Sequence, residues 1–324
     1  MAGRGIDLLP LLPLPGETMR YTYIKLFFSA LFWGASAIAG KWLFTVLRPA
    51  QVTFLRFALA ALALGGVVTL ARRQACPVSL GEHARLAVLG AVGVSLCYYF
   101  YFEGLYYSSA FNAGLIEATI PLVTLALSVL MKEERLDTAQ TTGFTLAYLG
   151  VLIIVTRLDL AVIRAFDYNR GDVLLLLGTL CFGLYNVLLR KFRFSFTSQN
   201  TKLFYIFLYG SLPLLAWVWL DAQHAPLNWA LDAHGWLALA VLALGASVLA
   251  YVFFNQGIEQ IGASRASSFI NLVPVITAGL AFALLGERPD FSQLRGSAVI
   301  LLGVSLSQYG WPKWLTTRVT SPVS

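Results

Sequence analysis

The sequence is poor in charged residues. Asp, Glu, Lys and Arg make up 12% of its 324 residues, whereas hydrophobic residues make up 58%. Soluble globular proteins carry about 25% charged residues, so water is not the main solvent of this chain. Apolar runs long enough to cross a hydrocarbon core about 30 Å thick recur along it instead. Such segments must be helical, because a spanning segment has to satisfy its own backbone hydrogen bonds.

Cysteine and histidine are also scarce, with three residues of each. Cys76, Cys97 and Cys181 show no paired spacing, which argues against a disulfide framework and a cysteine zinc site. The sequence contains no glycine-rich phosphate loop, no nucleophile elbow and no metal-binding motif. It therefore predicts no enzymatic activity and no cofactor or metal.

The charges that are present are mostly basic, and the formal net charge is +7. They are divided among several loops instead of forming one stripe, which argues against a nucleic-acid partner. Lys and Arg accumulate in cytoplasmic loops, and most of them fall on cytoplasmic segments here if the N-terminus is inside. We expect an integral protein of a bacterial inner (plasma) membrane with both termini in the cytoplasm.

Ten apolar segments bounded by charged or turn residues are predicted to be transmembrane helices. Most of the loops between them are short, so no soluble domain remains for separate chemistry, and any site must lie between the helices. The predicted segments are Tyr23–Val46, Ala50–Leu70, Arg85–Tyr107, Ala110–Met131, Thr138–Thr156, Asp172–Leu189, Thr201–Leu220, Trp236–Ile258, Ala263–Leu285 and Phe291–Trp311.

The sequence contains an internal repeat, because a shift of 153 residues superposes Leu96–Val151 on Leu249–Val304 without a gap. Each half holds five helices, an odd number, so the second half enters the membrane from the opposite side. The prediction is an all-α integral membrane protein with ten transmembrane helices in two inverted five-helix repeats. Such repeats are typical of secondary transporters, although a duplicated scaffold without transport is the alternative. Identical pairs include Tyr98/Tyr251, Ala110/Ala263, Pro121/Pro274, Thr124/Thr277, Glu134/Glu287 and Gln140/Gln293.

The repeat sets the expected domain boundaries. The first repeat covers residues 20–158 and the second covers 171–312, with a linker at 159–170. Residues 313–324 are expected to form a cytoplasmic tail. Residues 1–19 are expected to form a disordered N-terminal tail, because prolines interrupt their apolar stretch, or to come in part from an upstream start codon.

Two matched segments resemble the paired signatures of the drug/metabolite transporter (DMT) superfamily, EamA type. Trp33-Gly34 in the first helix and Arg56-Phe57 in the second support the resemblance, which extends over about residues 20–312. It implies ten helices, cytoplasmic termini, a central cavity, and export of amino acids or related metabolites that is often coupled to protons. The segments are GLYYSSAFNAGLIEATIPLVTLALSVLMKEERLDTAQTTG and GIEQIGASRASSFINLVPVITAGLAFALLGERPDFSQLRG.

The repeat and the resemblance together favour a secondary transporter of small metabolites that works by alternating access. Its expected partners are a small-molecule substrate, the lipid bilayer and protons. An exchanger or facilitator for sugar phosphates or nucleotide sugars is the alternative within transport, and it would need several cationic residues at the cavity. Outside transport, a channel or a non-transporting structural membrane subunit stays open.

Polar residues inside lipid-spanning helices are costly, so those present usually face the bundle interior or a wet cavity. Glu117 is the deepest acid and is expected to bind the coupling proton or a substrate amine. Pro121 and Pro274 each remove a backbone donor inside a helix, which indicates either a hinge or a static kink. The predicted cavity lining is Trp33, Tyr98, Glu117, Tyr185, Asn186, Tyr251, Asn255 and Asn271.

Two cations, Lys41 and Arg56, lie within predicted helices about two turns from the expected outer surface. One interpretation is that their aliphatic stems extend outward to the membrane interface. The other is that they form an outer vestibule that attracts anionic solutes, or that they pair with Glu103 or Glu117.

The predicted topology can be tested by cysteine labelling. Cysteines introduced near Arg72 and Arg193 should react with an impermeant reagent only from the cytoplasmic side, and one near Asp232 only from outside. The predicted number of crossings between Arg72 and Asp232 is odd, so labelling of both from the same side would contradict the ten-helix inverted arrangement.

Overall fold

The computed structural model describes residues 17–70, 78–132, 137–157, 168–195, 198–222, 230–261, 266 and 269–310. Within these residues every regular element is helical. Three expected features lie wholly or largely outside them: the N-terminal tail at 1–19, the linker at 159–170 and the C-terminal tail at 313–324.

The described residues form ten apolar helices, which confirms the all-α membrane fold and agrees with the predicted number. Eight of them are long and apolar enough to cross a membrane, and α9 and α10 are shorter. The helices are α1 Met19–Leu43, α2 Pro49–Thr69, α3 Leu80–Tyr107, α4 Ala110–Leu130, α5 Thr138–Thr156, α6 Arg170–Lys191, α7 Gln199–Leu220, α8 Ala233–Ile258, α9 Val273–Leu285 and α10 Phe291–Ser307.

Two helices begin about one turn earlier than the apolar pattern predicted, because polar caps extend them. The start of α3 at Leu80 follows a capping box, in which the side chains of Ser79 and Glu82 each accept a hydrogen bond from the other's backbone N–H. The start of α8 at Ala233 follows Asp232, whose carboxylate accepts a hydrogen bond of 2.8 Å from the Gly235 N–H. Hydropathy alone misses such ends, since capping residues are polar.

Several helices are interrupted at repeat-related places. Turns of π-helix occupy Ala91–Leu96 in α3 and Val241–Leu249 in α8. Helix α4 is divided into Ala110–Glu117 and Ile120–Leu130. A 3₁₀ turn at Ile270–Leu272 precedes α9, and the predicted start of that helix at residue 263 lies outside the described part of the chain. Turns of π-helix inside α-helices are often found at functional sites.

The helix packing follows the inverted repeat. Helix α1 packs on α8 just as α6 packs on α3, and α1 packs on α9 just as α6 packs on α4. In three further pairs, the two helices that pack together are repeat equivalents of each other. These pairs are α2 with α7, α4 with α9, and α5 with α10. This pattern is the one expected from a pseudo-twofold axis in the membrane plane. We call the end of the bundle where α1 begins and α10 ends the terminal face, and the opposite end the distal face.

Helices α5 and α10 approach each other closely because glycines lie at their contact. A Cβ atom placed on Gly303 would lie 2.5 Å from the Gly143 carbonyl oxygen and 2.5 Å from the Ala147 nitrogen. A Cβ atom on Gly150 would lie 2.8 Å from the Gly296 carbonyl oxygen. Small residues let backbones pack closely in a bilayer, where dispersion contacts replace the hydrophobic effect between helices.

The close packing of α5 and α10 predicts a sensitive position. Gly303→Ala should lower the thermal unfolding midpoint of the purified protein, because its Cβ atom would force the two helices apart at a cost of about 1–3 kcal/mol. Gly279→Ala is the matched control, since no atom lies within 4 Å of its added Cβ. Equal midpoints for the two variants in a detergent unfolding assay would contradict this account.

Candidate functional site

The two repeats meet at a pair of tyrosines in the middle of the bundle. The hydroxyl oxygens of Tyr98 in α3 and Tyr251 in α8 lie 3.5 Å apart. These residues are repeat equivalents, and a residue that touches its own equivalent must lie close to the pseudo-twofold axis. The contact therefore marks the centre of the structure, where a solute could be reached from either face.

Arg56 lies beside this pair and is enclosed by the protein, with 1% of its surface exposed. Its Nε donates a hydrogen bond of 2.7 Å to the Ser247 hydroxyl, and its Nη1 donates one of 3.1 Å to the Ser36 hydroxyl. The Cζ atom lies 4.5 Å from the centre of the Tyr98 ring and 5.0 Å from that of Phe57. The side chain thus remains inside the bundle, where hydroxyl groups and aromatic faces compensate its charge.

The π-helical turn of α8 places one of these hydroxyls. The Ser247 hydroxyl donates to the Leu242 carbonyl at 2.9 Å, five residues earlier, and can therefore accept from Arg56. Ser36, on α1, supplies the second acceptor. Through Arg56, the side chains of α1, α2 and α8 are connected at one point.

Glu117 ends the first segment of α4 and is partly exposed. The Tyr101 hydroxyl hydrogen-bonds with its carboxyl group, and the positive charge of Arg56 attracts it from nearby. Pro121 has no N–H group and so cannot donate to the Glu117 carbonyl, which explains why the helix breaks here. The Thr119 hydroxyl instead donates to the Ile116 carbonyl at 2.6 Å. The break presents an acid at the middle of a membrane helix.

Aromatic rings surround the same region. The Trp33 indole N–H donates to the Ala246 carbonyl at 3.1 Å, which fixes the ring. Its centroid lies 5.6 Å from that of Tyr251 and 5.3 Å from that of Phe254, both with edge-to-face geometry. Trp33 and Tyr251 are partly exposed, like Glu117, whereas Arg56 is enclosed.

The remaining predicted lining residues lie in four different environments. Tyr185 is buried against Gly93 of α3. The Asn186 side chain donates to the Thr124 hydroxyl at 3.2 Å and so connects α6 to α4. Asn255 is partly exposed on α8, one turn beyond Tyr251. The backbone of Asn271 lies in the 3₁₀ turn before α9, and its side chain is outside the described part of the structure.

Both predicted hinge prolines begin a helical segment. Pro121 occupies the first turn of Ile120–Leu130, and Pro274 the first turn of Val273–Leu280. Each follows a short stretch that is not α-helical, so each lies at a repeat-equivalent discontinuity. This placement suits a hinge, because the hydrogen bonds that a rotation would break are already missing.

Lys41 lies at the distal face, away from Arg56. Its Nζ donates to the Ser108 carbonyl, and the carboxylate of Glu287 attracts its charge. The Ser108 hydroxyl in turn donates to Asp172 of α6. The two predicted vestibule cations therefore occupy different places, one at the centre and one at the distal end.

Helices α4 and α9 pack closely toward the distal face. A Cβ atom on Gly114 would lie 3.0 Å from the Cβ atom of Thr277. Every residue from Ala110 to Ile116 is buried, whereas most of Ile120–Leu130 is partly exposed and packs along α6. The distal half of α4 is thus covered by the bundle.

Reasoning from the sequence missed several residues of this site. Tyr101 carried no signal, since Phe254 occupies the equivalent position in the other repeat. Glu287 was recognised as part of the repeat, but its role as a contact across the bundle was not inferred. No group of His, Cys, Asp and Glu within the described ranges is arranged to hold a metal ion.

Comparison with known proteins identifies the family. A model described as the EamA-like transporter family matches residues 20–156 and 169–309, one match in each repeat. The chain is 31% identical over 283 residues to the uncharacterized transporter YyaM of Bacillus subtilis, which covers 87% of this chain and 92% of that protein. It is 23% identical over 271 residues to the S-adenosylmethionine uptake transporter of Rickettsia conorii, covering 82% and 85% of the two chains.

The fold itself has a solved counterpart. One crystal structure aligns with a TM-score of 0.58 at 20% identity, covering 89% of this chain and 97% of the other. That likeness concerns the fold alone, and the family match confirms the family that the paired signatures predicted. Since the family model covers both halves of the sequence, the chain belongs to the EamA-like transporter family.

Proposed function

We propose that the protein is a secondary transporter that moves small metabolites by alternating access. One observation supports this most strongly. The two repeats are arranged as an inverted pair, and the described parts of their equivalent helices α4 and α9 pack together at the distal face. Inverted repeats can exchange conformations, which would expose the central site to each side in turn.

The terminal face is the cytoplasmic one in this proposal. It carries Arg190, Lys191 and Arg193, and cytoplasmic loops are enriched in such residues. The distal side, where α4 packs on α9, is then the outer side and is closed in the described conformation. Net export or net uptake would depend on the gradient that drives the cycle.

The proposed substrate is an amino acid or a related metabolite that carries an amino group. Glu117 is a partly exposed acid at the centre that hydrogen-bonds with Tyr101. Nearby, Trp33 packs against Tyr251, which contacts Tyr98. A carboxylate among aromatic rings binds an ammonium group by charge attraction and by cation–π contact. The relative from Rickettsia conorii is named for S-adenosylmethionine, which contains an amino-acid group.

Glu117 is also the candidate for proton coupling. The sequence has no ATPase motif, so an ion or solute gradient must supply the energy. A single accessible acid can bind either a proton or the substrate amine, and this competition would couple the two movements. Arg56 and Tyr101 position that acid by charge attraction and by hydrogen bonding.

The alternative of a sugar-phosphate or nucleotide-sugar exchanger has less support. Such a site needs cations that reach the solute. Arg56 is enclosed among serines and aromatic rings, and Lys41 is engaged at the distal face. A channel also has less support, since in the described residues the distal half of α4 is buried against α9.

Glu117→Gln should abolish proton-driven accumulation of substrate while leaving membrane insertion intact, because the amide cannot carry a proton. The measurement is uptake of labelled amino acids and metabolites into liposomes that contain the purified protein, with and without a pH gradient. When the gradient is applied, liposomes that contain the Gln variant should take up no more labelled substrate than protein-free liposomes.

Glu103→Gln is the matched control, since it removes an acid from α3 near its distal end. It should retain gradient-driven transport. If the Glu117→Gln protein, at equal abundance, carried substrate at the wild-type rate with unchanged pH dependence, the assignment of Glu117 would be wrong. If the wild-type protein moved none of the panel, the proposed substrate class would be wrong instead.

A further inference from the structure

The distal face contains a contact between the repeats that the central site does not use. Glu287 lies in the turn between α9 and α10, and its Oε1 and Oε2 accept hydrogen bonds from the backbone N–H groups of Ala110 and Phe111, both at 3.0 Å. These are the first two residues of α4. We call this pair of hydrogen bonds the Glu287 cap.

The cap meets a specific need of the helix start. The first N–H groups of a helix have no partner within the helix, and they carry its positive dipole end. Ser109 satisfies the N–H of Asn112 at 3.0 Å, and Glu287 satisfies the two before it. Ala110 is 0% exposed and Phe111 is 7% exposed, so water does not replace the carboxylate while the distal face is closed.

Glu287 reaches this position because the chain turns sharply after α9. Gly286 adopts a φ of 67°, in the left-handed region that favours glycine. The Glu287 N–H then donates to the Ala281 carbonyl at 3.2 Å, which holds the turn against its own helix. Movement of the α9 end would therefore move the carboxylate as well.

Further contacts reinforce the cap at its edges. Lys41 attracts Glu287 and donates to the Ser108 carbonyl, which brings the end of α1 to the same place. The Asn112 side chain donates to Asp172 at 3.1 Å and accepts from Gln293 at 2.7 Å. Together these contacts join the distal ends of α1, α4, α6 and α10.

We propose that Glu287 is a positioning residue of the transport cycle: its carboxylate holds α4 against the end of α9 while the distal side is closed, and it must release α4 for that side to open. Glu287 is partly exposed, so water can reach it when it is released, whereas Asp172 is 2% exposed and stays covered. Opening without water would leave two buried N–H groups without acceptors, which favours two distinct states over a gradual one. The inference builds on the proposed transport cycle.

The test measures exposure of the distal side without any substrate. Ala113 lies on α4 between the capped residues and Glu117 and is 0% exposed. In a protein whose native cysteines are replaced by alanine, Ala113→Cys reports access from the distal face to an impermeant maleimide. Adding Glu287→Gln should raise its labelling rate on the order of tenfold, because a neutral amide is a weaker acceptor at a helix start than a carboxylate.

Three further variants separate this role from a general loss of stability. Asp232→Asn removes another distal acid that caps a helix, but Asp232 caps α8 within its own repeat, so labelling should stay unchanged. Glu287→Asp keeps the charge and shortens the side chain, so an intermediate rate is expected. Lys41→Gln should raise the rate less than Glu287→Gln, and it carries the test if the Gln variant does not accumulate.

Equal labelling rates in the parent and the Glu287→Gln protein would overturn the proposal, and so would an equal increase in Asp232→Asn. Transport in liposomes is measured separately on the same proteins. If the protein transports solute but Glu287→Gln leaves the labelling rate unchanged, only the proposed role of Glu287 is overturned. Changed labelling without transport of any solute would support the cap and overturn the proposed function.

Discussion

The structure depends on the constraint that a backbone inside a bilayer must satisfy its hydrogen bonds within the protein. This makes every spanning segment helical and limits breaks to places where other groups compensate. The division of α4 after Glu117 is one such break, with the Thr119 hydroxyl bonded to the Ile116 carbonyl. The start of α4 is another, with Glu287 as the acceptor. The sites of functional interest are therefore the places where helical hydrogen bonding stops.

Two charged side chains inside the bundle illustrate how it accommodates polar groups. Arg56 is surrounded by hydroxyls and rings and connects three helices, so it acts on Glu117 through its charge without being accessible itself. Glu117 is partly exposed and hydrogen-bonds with Tyr101. The proposed preference for a solute with a positive group is based on this pairing of an enclosed cation with a partly exposed acid.

The central and distal contacts lie along one helix. Glu287 holds the first turn of α4, and Glu117 ends the same segment two turns later. Because Ala110–Glu117 is one continuous helical segment, a change at either end shifts the position of the other. This rigid connection is a physical route by which occupation of the central acid could bias the distal closure, as alternating access requires.

The sequence by itself determined the helical membrane fold, the inverted relation of its halves and the family, and it singled out Glu117 as a candidate, because hydropathy, repeat spacing and charge are local properties. It also paired Tyr98 with Tyr251, which the structure brings into contact on the axis. Only the tertiary structure decided that Arg56 is enclosed, that Tyr101 bonds Glu117, and that Glu287 caps α4. These contacts join residues far apart in the chain, so hydropathy and repeat spacing do not reveal them. Only the packing of the helices brings such residues together.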